Sequence, residues 1–459
     1  MSNFYHSSTP RIDSLHSFDN EKDNCGMGAL VNIHGKPSYS ILDQALCSVA
    51  NMTHRGAVDA DMKTGDGSGI LSQIPFPLFQ EAAANLGTTV TDNSLLGVGV
   101  FFFPQNDSEA KAKIKALAES ALTKRNISII GWRKTPVNFN ALGKLAQKTV
   151  PTIEHLLVLN ETGCDQDSFE RSLYLCRREV ELGTKDISDF YIPTLSSYLI
   201  SYKALAMPAA LRAFYLDLQN PKFETAIALY HQRFSTNTFP AWPLGQPFRN
   251  MCHNGEINTV KGNRNWMASR EELFESEIWG EDVKWLQHLL SSGESDSASL
   301  DHALELLMLS GREPEHAMCM LVPPAYIHDQ DISNELKAFY DYLSSFSEPW
   351  DGPAGLVYTN GKKVCASLDR NGLRPSRFVL TDDGTLYIGS ESGAVCFPEE
   401  NIKKRGRLGP GEMMSIELGK GYIDFDKDIK ESLARQKPYR QWIEENRLEL
   451  SDFVSQEAQ

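Results

Sequence analysis

Cys25 is the residue whose position most suggests catalysis. It follows a polar leader, residues 1–24, and precedes Gly26 and an apolar run, 27–33, that predicts a buried strand. If the leader is removed, the α-amine of Cys25 lies beside its own sulfur, and an α-amine has a pKa of about 7.7–8. One residue then supplies a thiol nucleophile and the base that activates it. The pattern indicates an N-terminal nucleophile released by cleavage after Asn24, with Gly26 leaving room for substrate.

Six later motifs combine polar or charged residues with small ones. They are His54-Arg55-Gly56-Ala57, Thr64-Gly65-Asp66-Gly67-Ser68-Gly69, His231-Gln232-Arg233-Phe234-Ser235-Thr236-Asn237-Thr238, His253-Asn254-Gly255-Glu256-Ile257-Asn258-Thr259, Ser295-Asp296-Ser297 and Asp369-Arg370-Asn371-Gly372-Leu373-Arg374-Pro375. The glycine-rich stretch 64–69 lacks the lysine of a phosphate-binding loop and the spacing of a dinucleotide fingerprint. It predicts a tight turn packed near the nucleophile instead, and 369–375 predicts a structural corner.

Strands and helices alternate between these motifs. Apolar runs predict strands near 27–33, 70–74, 95–103, 193–207 and 223–234. Apolar spacing of 3.6 residues predicts helices near 41–52, 108–124, 168–182 and 298–309. The last helix is expected to be capped by Ser297 or a neighbouring Asp. Asn360-Gly361 and Asp383-Gly384 predict hairpins in a β-rich C-terminal third. The pattern predicts an α+β layered domain.

Composition excludes several classes of function. The chain has 459 residues, of which 41% are hydrophobic, so it can bury a large core, and its net charge of −15 argues against nucleic acid or an anionic membrane as partner. Its eight cysteines form no C-x-x-C pair, which disfavours a zinc or iron–sulfur site. There is no long apolar run and no signal-peptide pattern. The expected location is the cytoplasm, or a plastid in a photosynthetic eukaryote.

Together with Cys25-Gly26-Met27-Gly28, the six later motifs make seven, which in this order resemble the class II glutamine amidotransferases. Within that family the chain is most similar to the N-terminal amidotransferase domain of glutamate synthase large (α) subunits, over roughly residues 25–440. Each motif alone is weak evidence, but seven in the right order are very improbable by chance. The resemblance implies a four-layer αββα N-terminal-nucleophile sandwich. It also implies a glutaminase that forms a Cys25 thioester and supplies ammonia for the reductive amination of 2-oxoglutarate.

For substrate binding, the resemblance implies that Arg233 grips the α-carboxylate of glutamine, since a guanidinium matches a carboxylate bidentately. Asp296 is implied to pair with the α-ammonium, and Ser235 and Thr236 are expected to contact the substrate. The plainer alternatives are a structural ion pair for Arg233 and a helix N-cap for Asp296.

For catalysis, the resemblance implies an oxyanion hole built from the side-chain amide of Asn254 and the backbone N–H of Gly255. Arg55 is implied to lie close to Cys25 and to position it. The plainer alternatives are a type I′ turn at Asn254-Gly255 and a solvated helix-end arginine at Arg55.

The expected domain organisation is a leader (1–24), an amidotransferase domain (25–427) and a charged helical or extended tail (428–459) that leaves the domain as a linker. No cofactor or metal is expected in this chain. A full-length relative is implied to add FMN, an iron–sulfur cluster and NAD(P)H or ferredoxin, and a small reductase subunit is a further candidate partner.

Two alternatives remain open from the sequence. One is another class II amidotransferase or a stand-alone N-terminal-nucleophile glutaminase. The other is a non-catalytic regulatory relic, against which the intact Cys25, Arg233, Asn254 and Asp296 argue.

Overall fold

The computed structural model describes residues 25–58, 60–61, 63–233 and 240–448. In chain order its strands are β1 Gly26–Asn32, β2 Ser68–Gln73, β3 Leu96–Phe103, β4 Ser128–Lys134, β5 Thr152–Leu159, β6 Tyr191–Ser196, β7 Leu199–Ala204, β8 Ile227–Gln232, β9 Met251–Gly255, β10 Ala354–Thr359, β11 Lys363–Leu368, β12 Arg377–Thr381, β13 Thr385–Gly389, β14 Ile402–Arg407, β15 Met413–Glu417 and β16 Asp424–Phe425. Its α-helices are α1 Tyr39–Asn51, α2 Phe76–Asn85, α3 Ser108–Thr123, α4 Lys144–Thr149, α5 Gln166–Gly183, α6 Pro208–Phe214, α7 Val260–Arg270, α8 Asp296–Leu309, α9 Pro314–Leu321, α10 Asn334–Ser344, α11 Asp426–Ala434 and α12 Tyr439–Asn446. Short 3-10 helices include Thr53–Arg55 and Trp242–Leu244.

Two antiparallel sheets form the centre of the molecule. The larger has seven strands in the order β14-β12-β13-β1-β8-β2-β7, and the smaller has five in the order β16-β15-β11-β10-β9. Alternate residues of β1, such as Met27 and Ala29, point into the layer between the sheets. There they share one apolar cluster with Cys252 of β9 and Val357 of β10. The two sheets are therefore stacked face to face.

Helices cover the outer faces of both sheets. Leu30 of β1 packs with Leu42 and Leu46 of α1 on the outer face of the larger sheet. Leu356 of β10 packs with Leu300 of α8 on the outer face of the smaller one. The order of layers is helix, sheet, sheet, helix, which confirms the predicted α+β αββα sandwich.

A third sheet, of four strands in the order β4-β5-β3-β6, lies between β2 and β8 in the chain. Its core with α3 and α5 contains Phe101 and Leu173. The buried Arg249 attaches this layer to the region before β9, because its Nη2 donates to Glu181 Oε1 at 2.7 Å and to the carbonyl oxygen of Ile192 at 3.1 Å. The added sheet is thus fixed against the strand that bears the candidate oxyanion hole.

The cap of α8 differs from the prediction. The helix begins at Asp296, and Ser295 is its N-cap, with an Oγ that accepts from the N–H of Ala298 at 3.2 Å. Ser297 and Asp296 lie inside the first turn. This leaves the carboxylate of Asp296 available to neighbours outside the helix.

The charged tail packs on the domain as far as the structure describes it. Ile429 of α11 and Tyr439 of α12 are buried in one cluster with Phe339 and Tyr340 of α10. This part of the predicted linker is helical and adheres to the domain surface. The boundary between residues 427 and 428 stays a prediction.

Candidate active site

Strand register places Cys25 opposite Arg233. Strand β8 lies between β1 and β2, and its last residue, Gln232, pairs with Gly26 on one side and Ser68 on the other. Cys25 precedes Gly26 and Arg233 follows Gln232, so both lie just beyond the same end of the sheet. The backbone N–H of Arg233 donates to the carbonyl oxygen of Gly67 at 3.0 Å. Three segments far apart in sequence thus meet at Cys25, the candidate nucleophile.

The guanidinium of Arg233 is held in a largely buried position. The residue is 7% exposed, and Nη1 donates to the carbonyl oxygen of Leu244 at 3.1 Å. Burial lowers the pKa of Arg233, and the nearby Cys25, Asp66 and Asp296 act in the opposite direction. A buried guanidinium next to Cys25 suits the binding of a small carboxylate.

Asn254 and Gly255 end β9, on the sheet that faces β1. Among the described residues, neither the side-chain nitrogen nor the side-chain oxygen of Asn254 has a hydrogen-bond partner, although the residue is buried. Buried amides are rarely left unpaired unless a ligand or water meets them. Strand β10 places Gly355 opposite Asn254, and a methyl group added at Gly355 would lie 3.1 Å from Met27 Cε. The end of β9 is therefore close to β1, the strand that follows Cys25.

Gly255 has a backbone that other residues cannot adopt here. Its φ is +140°, and a methyl group at this position would lie 1.7 Å from the carbonyl oxygen of Pro353. Gly255 is paired with Ala354, and the N–H of Glu256 donates to Pro353 at 3.0 Å. The Asn254-Gly255 pair is thus a specific strand end fixed against β10.

Asp296 links α8 to the segment that follows β9. Its Oδ2 accepts from the N–H of Ile257 at 2.7 Å, and its Oδ1 accepts from the N–H of Ser297 at 2.7 Å. The hydroxyl of Ser297 lies 3.2 Å from Asp296 Oδ1 and 2.7 Å from His253 Nδ1. If Ser297 donates to Asp296, it accepts from the Nδ1–H of His253, whose pKa is lowered by burial. The carboxylate is held by several donors on one side of the site.

Arg55 lies beside the start of β1 and is held by a carboxylate. A methyl group added at Gly26 would lie 3.4 Å from Arg55 Cβ. The Nε of Arg55 donates to Glu391, whose carboxylate also lies 3.0 Å from His54 Nε2. Arg55 ends the short helix Thr53–Arg55, and it is also close to β1.

Two contributors to the site were not predicted from the sequence. Ser390 pairs with Met27: its N–H donates to the carbonyl oxygen of Met27 at 3.0 Å, and its Oγ accepts from the N–H of Met27 at 3.2 Å. Glu391 binds Arg55. The sequence signal for them was one acidic residue among small ones, Gly389-Ser390-Glu391-Ser392-Gly393, at the end of the second predicted hairpin.

The glycine-rich stretch 64–69 is a tight connection into β2, as expected. Gly67 has a φ of +135° and accepts from Arg233. A methyl group at Gly69 would lie 2.7 Å from the carbonyl oxygen of Gln246. Ser235 and Thr236, the other predicted substrate contacts, lie outside the described residues.

The described residues contain neither a candidate metal site nor a candidate membrane-spanning helix. No group of three or more His, Cys, Asp or Glu side chains there could hold a metal ion. None of the helices in those ranges is long and apolar enough to cross a membrane.

A model of the class-II glutamine amidotransferases matches residues 25–442, beginning at Cys25. The chain belongs to this family. It is 42% identical to a ferredoxin-dependent glutamate synthase of Pyropia yezoensis over 96% of this chain and 29% of that protein. It is 41% identical to the large chain of a glutamate synthase [NADPH] of Azospirillum brasilense, over 95% of this chain and 29% of that protein.

The large chain of a glutamate synthase [NADPH] of Bacillus subtilis is 40% identical, over 96% of this chain and 29% of that protein. The chain therefore spans less than a third of the length of these relatives, and it is similar to their amidotransferase domain. Among solved structures, a glutamine phosphoribosylpyrophosphate amidotransferase of B. subtilis matches 78% of this chain and 48% of that chain at 12% identity and a TM-score of 0.30. This structural similarity assigns no role to any residue of this chain.

Proposed function

We propose that this chain hydrolyses the side-chain amide of L-glutamine to L-glutamate and ammonia, with Cys25 as the nucleophile. The observation that supports this most is the position of Cys25 opposite the buried Arg233, at a sheet end faced by the side-chain amide of Asn254, which has no partner among the described residues. A small molecule with a carboxylate at one end and an amide at the other fits this set of groups.

The proposed reaction begins with binding. Arg233 pairs with the α-carboxylate of glutamine and Asp296 with the α-ammonium. With the leader removed, the α-amine of Cys25 accepts the thiol proton, and the sulfur attacks the side-chain carbonyl carbon. The negative oxygen that develops accepts hydrogen bonds from the Asn254 amide and the Gly255 N–H.

Release of product follows in two steps. The α-ammonium of Cys25 returns its proton to the amide nitrogen, the carbon–nitrogen bond breaks and ammonia leaves. Water, deprotonated by the same α-amine, then hydrolyses the γ-glutamyl thioester and releases glutamate and the free thiol. Arg55, held by Glu391, helps to position the start of the nucleophile strand.

In the cell we propose that the ammonia is used for glutamate biosynthesis by a synthase region of the kind the relatives possess. FMN, the iron–sulfur cluster and the electron donor would be bound outside this chain, and the small reductase subunit would contact that region. Identity is 42% to a ferredoxin-dependent relative and 41% to an NADPH-named one, so the amidotransferase sequence does not separate the two donors. The cytoplasm is the proposed location, with a plastid as the alternative, since relatives from Oryza sativa and Spinacia oleracea are named chloroplastic.

Intact mass before and after incubation with a diazo ketone analogue of L-glutamine tests the proposal. We expect loss of residues 1–24 and one covalent adduct, with no adduct in Cys25→Ala. Cys47→Ala, which changes an exposed thiol, is the matched control and should be labelled like the wild type. Equal labelling of Cys25→Ala, or no labelling of the matured wild-type chain, would refute the proposed chemistry.

A further inference from the structure

Lys203 is a fully buried lysine on β7, the edge strand of the larger sheet. Its Nζ donates to the carbonyl oxygens of Pro243 at 2.8 Å and of Gly245 at 3.0 Å. The same nitrogen lies 4.5 Å from the ring centre of Tyr191 and 5.4 Å from that of Phe248. The two hydrogen bonds attach this amino group to the turn at residues 242–244, which follows Arg233 in the chain.

The carbonyl group of Leu244, the last residue of this turn, accepts a hydrogen bond from Arg233. Leu244 stands between the two residues that Lys203 binds, and its carbonyl oxygen accepts from Arg233 Nη1 at 3.1 Å. The turn is a single 3-10 helix, Trp242–Leu244, in which the N–H of Leu244 donates to Ala241 at 2.9 Å. One short helical turn has little rigidity of its own. Two hydrogen bonds from Lys203, one on each side of Leu244, fix where that carbonyl points.

The glycine-rich stretch 64–69 makes room for this arrangement. A methyl group added at Gly69 would lie 2.8 Å from Lys203 Cβ, and one added at Gly67 would lie 3.2 Å from Gly245 Cα. A side chain at either position would displace the lysine stem or the turn. These glycines therefore allow Lys203 to reach the turn from β7, which gives the motif a role besides that of a tight connection.

A buried ammonium group costs free energy that an apolar side chain of the same size would not. Burial lowers the pKa of Lys203 well below its ordinary value, as does the positive charge of Arg249, whereas Asp301 acts in the opposite direction. A methionine would occupy nearly the same volume without this cost. A lysine adds the two carbonyl contacts and a longer one, of 3.5 Å, to the hydroxyl of Tyr191.

We propose that Lys203 is a positioning residue for recognition of the substrate α-carboxylate, acting through the 242–244 turn and Arg233. The proposal rests on the function proposed above, and it deepens it by naming a residue that sets the affinity for the amino-acid end of glutamine. This role of Lys203 concerns the binding of substrate, and the nucleophilicity of Cys25 does not depend on it.

The test compares matured wild type with Lys203→Met, Arg233→Met and the double variant. The rate of adduct formation with the diazo ketone analogue of glutamine is measured against its concentration, giving the half-saturating concentration and the maximal rate. We expect Lys203→Met to raise the half-saturating concentration about 10-fold, the scale of one or two lost hydrogen bonds to a charged group. The maximal rate, and the rate with iodoacetamide, which has no carboxylate, should stay within about 3-fold because Cys25 is unchanged.

The double variant decides whether Lys203 acts through Arg233. In the Arg233→Met background, Lys203→Met should change the half-saturating concentration by less than about 2-fold, since a shared pathway makes the effects non-additive. Lys222→Met, at an exposed lysine paired with Glu81, is the matched control and should behave as wild type. If Lys203→Met does not fold, Lys203→Gln, which keeps an N–H donor on a stem one atom shorter, takes its place in the cycle with an expected increase of about 3-fold.

The outcomes distinguish failure of the role of Lys203 from failure of the proposed function. An unchanged half-saturating concentration in the lysine variant, or an effect of full size in the Arg233→Met background, overturns the role of Lys203 and leaves the proposed function intact. A wild-type chain that takes no label at Cys25 overturns the proposed function, and the role of Lys203 with it.

Discussion

The backbone N–H of Arg233 donates to the carbonyl oxygen of Gly67 at 3.0 Å, so the candidate carboxylate-binding residue is tied directly to the glycine-rich turn. These two residues are far apart in sequence, and Cys25 lies across β8 from the same contact. The candidate site is thus assembled at one sheet end by strand pairing. Substitutions there should alter substrate binding without unfolding the remote helical layers.

Arg233→Lys should raise the KM for glutamine by about 10- to 100-fold, because a lysine keeps the charge but loses the bidentate fork. The kcat should change by only about 3-fold, since Arg233 contacts a part of the substrate that does not react. Steady-state release of glutamate measures both constants. Arg212→Lys, at a more exposed arginine paired with Asp43, is the control and should leave both unchanged. A fall in kcat at constant KM would contradict the assigned role.

Gly255→Ala should lower kcat/KM by at least about 100-fold, the scale of one lost oxyanion-hole donor. The new methyl group would meet the carbonyl oxygen of Pro353 at 1.7 Å, so the strand end must move. Gly87→Ala is the matched control: its φ is +91°, but apart from its chain neighbours no described residue has an atom within 4 Å of the added carbon. That variant should show only the backbone cost of about 1–2 kcal/mol in the free energy of unfolding, with full activity. Full activity in Gly255→Ala would remove Gly255 from the oxyanion hole.

Glu391→Gln should lower kcat/KM for glutamine by about 10-fold, because Arg55 loses the charge that holds it beside the start of β1. In an Arg55→Ala background the same substitution should have little further effect, since both residues act at one place. The control is Glu399→Gln, which breaks an exposed pair with Arg405. Additive losses would show that Glu391 acts by another route.

The free energy of unfolding should fall as the pH drops below about 6.5, in part because of His155. This histidine is fully buried, and burial lowers its pKa to about 3. Between these two values the unfolded chain binds a proton that the folded chain does not, so stability decreases with falling pH by up to about 1.4 kcal/mol per pH unit. Below the lower value the effect levels off.

Urea unfolding at pH values from 7 down to about 4 measures this dependence. His155→Gln, whose amide can still accept from Arg133, should flatten the slope. His328→Gln, at an exposed position, should not. A slope that is the same in all three proteins would assign the acid sensitivity to other groups, such as the buried His231.

Local sequence patterns were sufficient to predict the layered architecture and to propose Cys25 as the nucleophile. The apolar run after Cys25 became β1, the 3.6-residue spacing after residue 40 became α1, and Asn360-Gly361 and Asp383-Gly384 became hairpin turns. These features depend on contacts between near neighbours and on the preference of glycine for positive φ, which the sequence displays directly. The order of the seven motifs identified the family without any contact information.

Only the tertiary structure showed which side chains hold the catalytic candidates in place. Ser390 meets Met27 across 363 residues and Glu391 meets Arg55 across 336, and such pairs depend on strand register, which a single sequence does not display. The same holds for Lys203, which sequence spacing gives no reason to place beside Leu244. Cys25 was predicted from its place between the leader and an apolar run, and Arg233 from the family resemblance. Their position opposite one another is decided by β8 lying between β1 and β2.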